Sequence, residues 1–302
     1  MYLYENQNLN MMKTNTFKLL LLSLMICSGL YAQSTSATLI KKVEGFSHPE
    51  SVVFNQDKNE YYISNMADRE EGDGFISRVS AEGEIIELKW IDGLKDPKGL
   101  LIKDDKVYVT NNTELIEISI ADSKILRRIQ VEGSKSLNDI TVDAVGNIFI
   151  SDSGKSAIYL MPGDSANMMV PEDKKGEIIE YLDSTRLEYV NGLFAQKDHL
   201  YAAAWGENND GNFLKIDMDT REIEKISKEG IGNLDGVQPV GEDAFYISDW
   251  ATGKIHLIKK DGEITEVLTS EKSAGDIFFD VEKDQLVLPM NHQNAVWWYQ
   301  LQ

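Results

Sequence analysis

The sequence predicts an all-β chain folded as a six-bladed β-propeller, and three observations carry that expectation. Short apolar strands recur in groups of four, a polar residue opens an apolar strand six times at intervals of 40 to 53 residues, and no long helical pattern interrupts them. The openings are Glu50-Ser-Val-Val-Phe, Lys98-Gly-Leu-Leu-Ile, Asn138-Asp-Ile-Thr-Val, Asn191-Gly-Leu-Phe-Ala, Asp235-Gly-Val-Gln-Pro and Gly275-Asp-Ile-Phe-Phe. A β-sandwich has no unit repeat, and the repeat of a β-helix is far shorter, so four antiparallel strands per unit of about 45 residues point to propeller blades.

Each opening strand is followed, after a turn such as Asn55-Gln-Asp-Lys-Asn or Asp143-Ala-Val-Gly-Asn, by a second strand at residues 61–64, 107–110, 148–151, 200–203, 245–248 and 286–288. Third strands are expected at 75–79, 115–118, 157–160, 213–216, 254–258 and 295–299. Fourth strands are expected at 85–90, 125–131, 223–226 and 264–268, with that of blade 3 near 177–181 after a longer connection. The sixth repeat ends at its third strand, three residues before the last residue. Residues 38–43 read as a strand ahead of the first repeat, so the N-terminal strand is expected to close the ring in the last blade and to remove an open sheet edge.

Of 302 residues, 42% are hydrophobic and 26% charged, a composition that suits a globular chain rather than a disordered or multispan one. The net charge of −20 excludes nucleic-acid binding by phosphate neutralisation. One cysteine and four histidines leave no disulfide framework and no Cys zinc site, so any metal must be held mainly by oxygen. Lys13 and Lys18, the apolar run 19–26 and Leu30-Tyr31-Ala32 have the order of a secretory signal cleaved after Ala32. The apolar run is too short for a spanning helix. Cys27 is a lesser option as a lipid attachment site, because bulky Met25-Ile26 precede it. Residues 33–302 then form a single exported domain, periplasmic or extracellular and expected to be a monomer.

In a propeller the inner strands start beside the central channel, so the six opening residues face one another. Glu50, Asn138, Asn191 and Asp235 together offer two carboxylates and two amide oxygens, a donor set for a hard divalent cation. Asn-Gly and Asp-Gly are also ordinary turn formers; their recurrence at one repeat position is what favours a shared site. The loops between second and third strands should rim the mouth with Asn65, Asp68, Asn111, Asn112, Asp152, residues 205–208, Asp249, Trp250, Asn291 and His292. Trp205 and Trp250 offer ring faces for stacking. Ring closure is expected to make His48 and His292 neighbours, either as a proton relay or as two solvated histidines. Gly154-Lys155-Ser156 lacks the first glycine of a phosphate loop, and Glu207-Asn-Asn-Asp-Gly211 lacks the first aspartate of a calcium loop, so no nucleotide-binding residue is assigned.

With Glu50 in Pro-Glu-Ser-x-x-Phe, Asn138 in Leu-Asn-Asp, Asn191 in Val-Asn-Gly and Asp235 in Leu-Asp-Gly, the sequence resembles the gluconolactonase/regucalcin family, also called senescence marker proteins, over residues 36–302. It is more remotely similar to paraoxonases and strictosidine synthases. The resemblance implies one divalent cation, Ca²⁺ first and Mg²⁺, Mn²⁺ or Zn²⁺ as alternatives, on Glu50, Asn191 and Asp235. It also implies hydrolysis of a small-molecule lactone or related cyclic ester, with Asp235 as base and Asn138 orienting substrate. Val52 and Phe54 stand where the family has Pro and Trp, and Ser136 stands where its sugar-lactone members carry Arg, so this chain lacks their guanidinium fork. The alternative is a non-catalytic propeller that binds a small molecule or a protein at its mouth and uses the cation structurally.

Overall fold

Valine, isoleucine and aromatic residues fill the second and third strands of every repeat, and those strands are buried on both faces because each sheet packs between two others. The computed structural model describes residues 36–163 and 177–302. The expected leader, its cleavage point after Ala32 and Cys27 lie outside the described residues. Among the described residues, 24 strands form six four-stranded sheets, the blades of a β-propeller. No helix among them is long and apolar enough to cross a membrane.

Blade 1 comprises β2 (Pro49–Asn55), β3 (Glu60–Asn65), β4 (Gly74–Ser80) and β5 (Ile85–Leu94), and blade 2 comprises β6 (Pro97–Lys103), β7 (Lys106–Asn111), β8 (Glu114–Ser119) and β9 (Lys124–Gln130). Blade 3 is β10 (Leu137–Val142), β11 (Ile148–Asp152), β12 (Ala157–Met161) and β13 (Ile179–Asp183), and blade 4 is β14 (Val190–Gln196), β15 (His199–Ala204), β16 (Phe213–Asp217) and β17 (Ile223–Lys225). Blade 5 is β18 (Leu234–Val240), β19 (Ala244–Asp249), β20 (Lys254–Lys259) and β21 (Ile264–Thr269). In blade 6, β22 (Phe278–Asp280), β23 (Gln285–Met290) and β24 (Ala295–Leu301) are completed by β1 (Ala37–Glu44), which pairs antiparallel with β24 from Ala37 opposite Leu301 to Glu44 opposite Ala295. The N-terminal strand therefore closes the ring as expected, and Lys42 Nζ lies 3.5 Å from the centre of the Trp297 ring on the strand it covers.

Two elements differ from expectation. The outer strand of blade 3 starts at Ile179, two residues later than read. The continuous inner strand of blade 6 begins at Phe278 instead of Gly275: Ala274 bridges Met290 and Gly275 N donates to Pro289 O of the same blade at 3.0 Å, but Asp276 N then leaves the ladder for Glu50 O of blade 1 at 2.8 Å. The core lies between blades. Tyr61, Val52, Val287 and Trp298, for example, join blade 1 to blade 6, and Tyr201, Phe213 and Phe245 join blade 4 to blade 5. Burial of such side chains stabilises by about 25 cal/mol per Å² of apolar surface, so each blade is held by its neighbours more than by itself.

Candidate functional site

The first five inner strands share one irregularity, and it creates the site. Register shifts fall between Pro49 and Val52, Pro97 and Leu100, Leu137 and Ile140, Val190 and Leu193, and Leu234 and Val237. Each shift is a β-bulge that takes the opening residue out of the ladder and re-aims its side chain. Glu50, Lys98, Asn138, Asn191 and Asp235 consequently line one cavity of about 440 Å³ at the mouth of the channel. All five are buried.

Hydroxyls of the second strands secure the bulges. Ser64 Oγ accepts from Ser51 N at 2.9 Å, Ser151 Oγ from Asp139 N at 2.8 Å and Ser248 Oγ from Gly236 N at 2.8 Å. Ser151 Oγ also donates to Asn191 O at 2.6 Å, Ser248 Oγ to Gly275 O at 2.8 Å, and Thr110 Oγ1 to Asn138 O, so each ties its own blade to the next blade's opening residue. The residue after each opening must be compact or ionic. A Cβ on Gly192 would lie 2.0 Å from Asp235 O, and on Gly236 2.8 Å from an Asp276 carboxylate oxygen. These glycines clear the axis, a tighter demand than the turn role available to them in sequence. Ser51 and Gly99 are the other small residues at this position, and the two ionic ones are Asp139, whose Oδ2 accepts from Leu193 N at 2.6 Å, and Asp276, whose Oδ2 accepts from Ser51 Oγ at 2.6 Å.

Four buried carboxylates therefore gather near the axis with Lys98 as the cation that acts on Glu50 and Asp235. Burial first, and then the charge of Asp235, hold Glu50 well above the ordinary carboxylate range, with Lys98 pulling against them. Burial and then Asp276 raise Asp235, opposed by Lys98 and by a hydrogen bond from Asn191. Burial and Asp276 likewise raise Asp139, and burial pushes Asp276 up to about 7 against its hydrogen bond from Ser51.

The donor set fits a hard cation. Glu50 Oε2 and Asn191 Oδ1 are buried oxygens without a hydrogen-bond partner, and they belong to two of the three expected ligands. Buried acceptors left unpaired are costly, and a divalent ion supplies both the missing partner and the missing positive charge. Among the described residues no three His, Cys, Asp or Glu side chains converge as a metal cluster; the set here is two carboxylates with an amide oxygen, which suits Ca²⁺ or Mg²⁺ better than zinc.

The cavity also receives Ser136, Asn138, Trp205 and Trp250. Asn138 Nδ2 donates to Ser153 Oγ at 3.2 Å, and the two indoles stand 6.0 Å apart, tilted by 54°. His48 and His292 are not among its lining residues. The His48 ring meets Asn291 Oδ1 through Nδ1 at 3.1 Å, whereas His292 packs edge-on against Trp250 at 5.6 Å and borders a separate hollow, so the structure gives them different partners. Four expected rim residues are instead buried staples: Asn65, Asn111, Asp152 and Asp249 accept backbone N–H groups of Ser47, Lys95 and Asp96, Lys135 and Ser136, and Asn233. Their place at the end of a second strand put them near the mouth, but the chain entering the next inner strand needs acceptors there. Gly154-Lys155-Ser156 is a hairpin loop between β11 and β12 with no helix after it, and Asp210 Oδ1 accepts from Glu207 N and Asn208 N in a local turn.

Arg69, Tyr189 and Ser153 also line the cavity, although no repeat position or motif in the sequence marks them, and Lys98 joins them from the opening of blade 2. Lys98 Nζ is 3.2 Å from Ser136 Oγ and 3.4 Å from Asp96 Oδ2. An ammonium from blade 2 thus stands beside the serine where the resembled family has a guanidinium from blade 3.

No protein-family model matches this sequence, and no curated protein matches it by sequence. Solved structures do match in shape. A gluconolactonase of Xanthomonas campestris, described as important in glucose secondary metabolic pathways, aligns with TM-score 0.67 at 14% identity over 86% of this chain and 88% of its own. Virginiamycin B lyase of Staphylococcus aureus aligns with TM-score 0.62 at 16% identity over 88% of this chain and all of its own. A catalytically inactive variant of that lyase, a histidine replaced by alanine and studied with quinupristin, aligns with TM-score 0.57 at 16% identity over the same share of each chain. The chain has the gluconolactonase-like propeller fold. At these identities the likeness establishes the fold, which the lyases share.

Proposed function

We propose that the protein is an exported, divalent-metal-dependent hydrolase of a lactone or related cyclic ester. One observation carries the reading: Glu50 Oε2 and Asn191 Oδ1, unpartnered in the interior, face a cavity that Asp235 also lines. Glu50, Asn191 and Asp235 would hold the cation, with Ca²⁺ first. Such an ion polarises a ring carbonyl and lowers the pKa of water. Asp235 takes the proton of the attacking water at a carboxylate oxygen, once the positive charge of the site has brought its pKa down from the raised value of the metal-free protein. Asn138, tethered through Nδ2 to Ser153, keeps its carbonyl oxygen for a substrate hydroxyl. Trp205 and Trp250 form an apolar wall that orients the ring and excludes bulk water.

The test is turnover of a lactone panel by metal-stripped protein before and after addition of Ca²⁺, Mg²⁺, Mn²⁺ or Zn²⁺. Metal-restored hydrolysis that Asp235→Ala abolishes, together with its metal affinity, supports the reading. Full rate and full affinity in that variant overturn it. A second reading, a binding propeller with a structural ion, is favoured by the origin of the ligands in blades 1, 4 and 5, which an ion would tie together. It requires a metal-induced rise in melting temperature with no turnover across the panel. The lyase neighbour depends on a histidine; no histidine lines the cavity here, so hydrolysis with a carboxylate base is the better-supported chemistry.

A further inference from the structure

We propose that the substrate of this cavity carries a carboxylate, bound by Lys98 with Arg69 at the rim. The inference rests on the reading of the cavity as a lactone site and names its substrate class. Lys98 opens the inner strand of blade 2 at the repeat position of Glu50, Asn138, Asn191 and Asp235, and its side chain is 10% exposed. An ammonium has three N–H donors. Ser136 Oγ at 3.2 Å and Asp96 Oδ2 at 3.4 Å take two directions, and the cavity that Lys98 lines lies in reach of the third.

Charge balance decides what should fill it. With a divalent cation on Glu50 and Asp235, their two negative charges are met, and Lys98 is no longer needed to offset them. Asp96, the carboxylate that Lys98 pairs with, is then shared between two cations, since Arg69 Nε also lies 3.6 Å from Asp96 Oδ1. The Lys98–Asp96–Arg69 group thus presents one net positive charge at the cavity, from a Lys98 that is 10% exposed and an Arg69 that lies at the open rim, and the charge at Lys98 is worth more than it would be in water. Glu207, the remaining carboxylate among the lining residues, is exposed at the rim and screened by solvent. A substrate carboxylate closes this balance, and 440 Å³ accommodates a five- or six-membered ring with one such arm beside the indoles. Ser136 has a defined part: its hydroxyl fixes the ammonium, which an arginine at 136 would instead repel.

The experiment compares 5-oxotetrahydrofuran-2-carboxylate with its carboxamide, the same ring with and without the charge, in the Ca²⁺-loaded protein. Wild type is expected to prefer the carboxylate by at least tenfold in kcat/KM, expressed in KM. Lys98→Met is expected to reduce that preference to under twofold, Lys98→Arg to retain part of it, and Arg69→Gln, an exposed change, to weaken it several-fold. Binding of the ring-opened product 2-hydroxyglutarate, followed through the fluorescence of Trp205 and Trp250, is the second readout and needs no turnover. If no lactone is hydrolysed but wild type binds this anion at least tenfold more tightly than folded Lys98→Met, the hydrolase reading fails and the anion site stands. Equal handling of carboxylate and carboxamide by wild type, or undiminished binding of 2-hydroxyglutarate in both Lys98→Met and Arg69→Gln, overturns the proposal.

Discussion

Glu50 is a buried carboxylate with one oxygen unpaired, and the cost of keeping it charged sets its response to substitution. In the metal-free protein at pH 8, Glu50→Gln removes a charge whose ionisation burial and Asp235 oppose. Every unit by which the carboxyl stands above its unfolded value is worth about 1.4 kcal/mol. The variant is therefore expected to melt no lower than wild type without metal, and higher if the amide finds a donor or acceptor in the cavity. With Ca²⁺ the order should reverse, because wild type gains stability by ligand binding and the variant does not. Calorimetric melting with and without 1 mM-range Ca²⁺ checks both signs; a variant that melts lower without metal and still responds to Ca²⁺ would show that Glu50 is structural. The five polar openings were legible in sequence because a bulge leaves a polar residue where a ladder would take an apolar one. Asp139 and Asp276 were not, since each sits one place further along its repeat, where Gly99, Gly192 and Gly236 give no hint of an ionised neighbour across the axis.

At the scale of the strand, function depends on hydroxyls that touch no substrate. Ser151 accepts from Asp139 N and donates to Asn191 O, so it holds the bulge of blade 3 and the opening of blade 4 together. Ser151→Ala orphans a buried N–H and a buried carbonyl, at about 1–3 kcal/mol each. A loss of about 2–4 kcal/mol in urea unfolding is expected, with a fall in metal affinity because Asn191 loses its backbone anchor. Ser156→Ala, in the neighbouring hairpin loop, leaves one N–H of Tyr189 unpaired and should cost less without changing metal affinity. The strands themselves were legible from their short apolar runs and the 40-to-53-residue repeat, including the N-terminal strand that completes blade 6. The misread elements share a cause: around Gly275 and at Asn65, Asn111, Asp152 and Asp249 the backbone partners lie across a blade boundary or in an entering loop, and strand pattern reports only pairing within a sheet.

For the whole molecule, the buried carboxylates predict an unusual dependence of stability on pH. Asp276 is pushed up to about 7 from 3.8, and Glu50, Asp139 and Asp235 are raised as well, in each case through burial first. A group whose folded pKa is raised binds more protons in the folded state than in the unfolded one across the interval between the two values. Stability is then full below the unfolded pKa and is lost as pH rises through the folded pKa. The metal-free protein should accordingly melt at progressively lower temperature from about pH 5 to pH 8. Asp104, Asp217, Glu242 and Glu266 have lowered pKa values and act in the opposite sense, but on exposed groups and below their ordinary range near pH 4, outside that window; His256, lowered by burial from 6.5, also acts in the opposite sense and flattens the acid end of the slope. General repulsion in a chain of net charge −20 produces the same downward trend, so it must be separated from the site. Salt does so, because 0.5 M NaCl screens exposed charges over a few ångströms and leaves buried ones largely unscreened. The expected result is a pH-dependent loss that survives 0.5 M NaCl and is abolished by Ca²⁺ at far lower concentration. Metal ions also favour ionised ligands, so the gain from Ca²⁺ should itself grow with pH over the same interval. If NaCl removes the slope as fully as Ca²⁺ does, the acidic surface is responsible and the axial carboxylates are neutral or compensated without an ion.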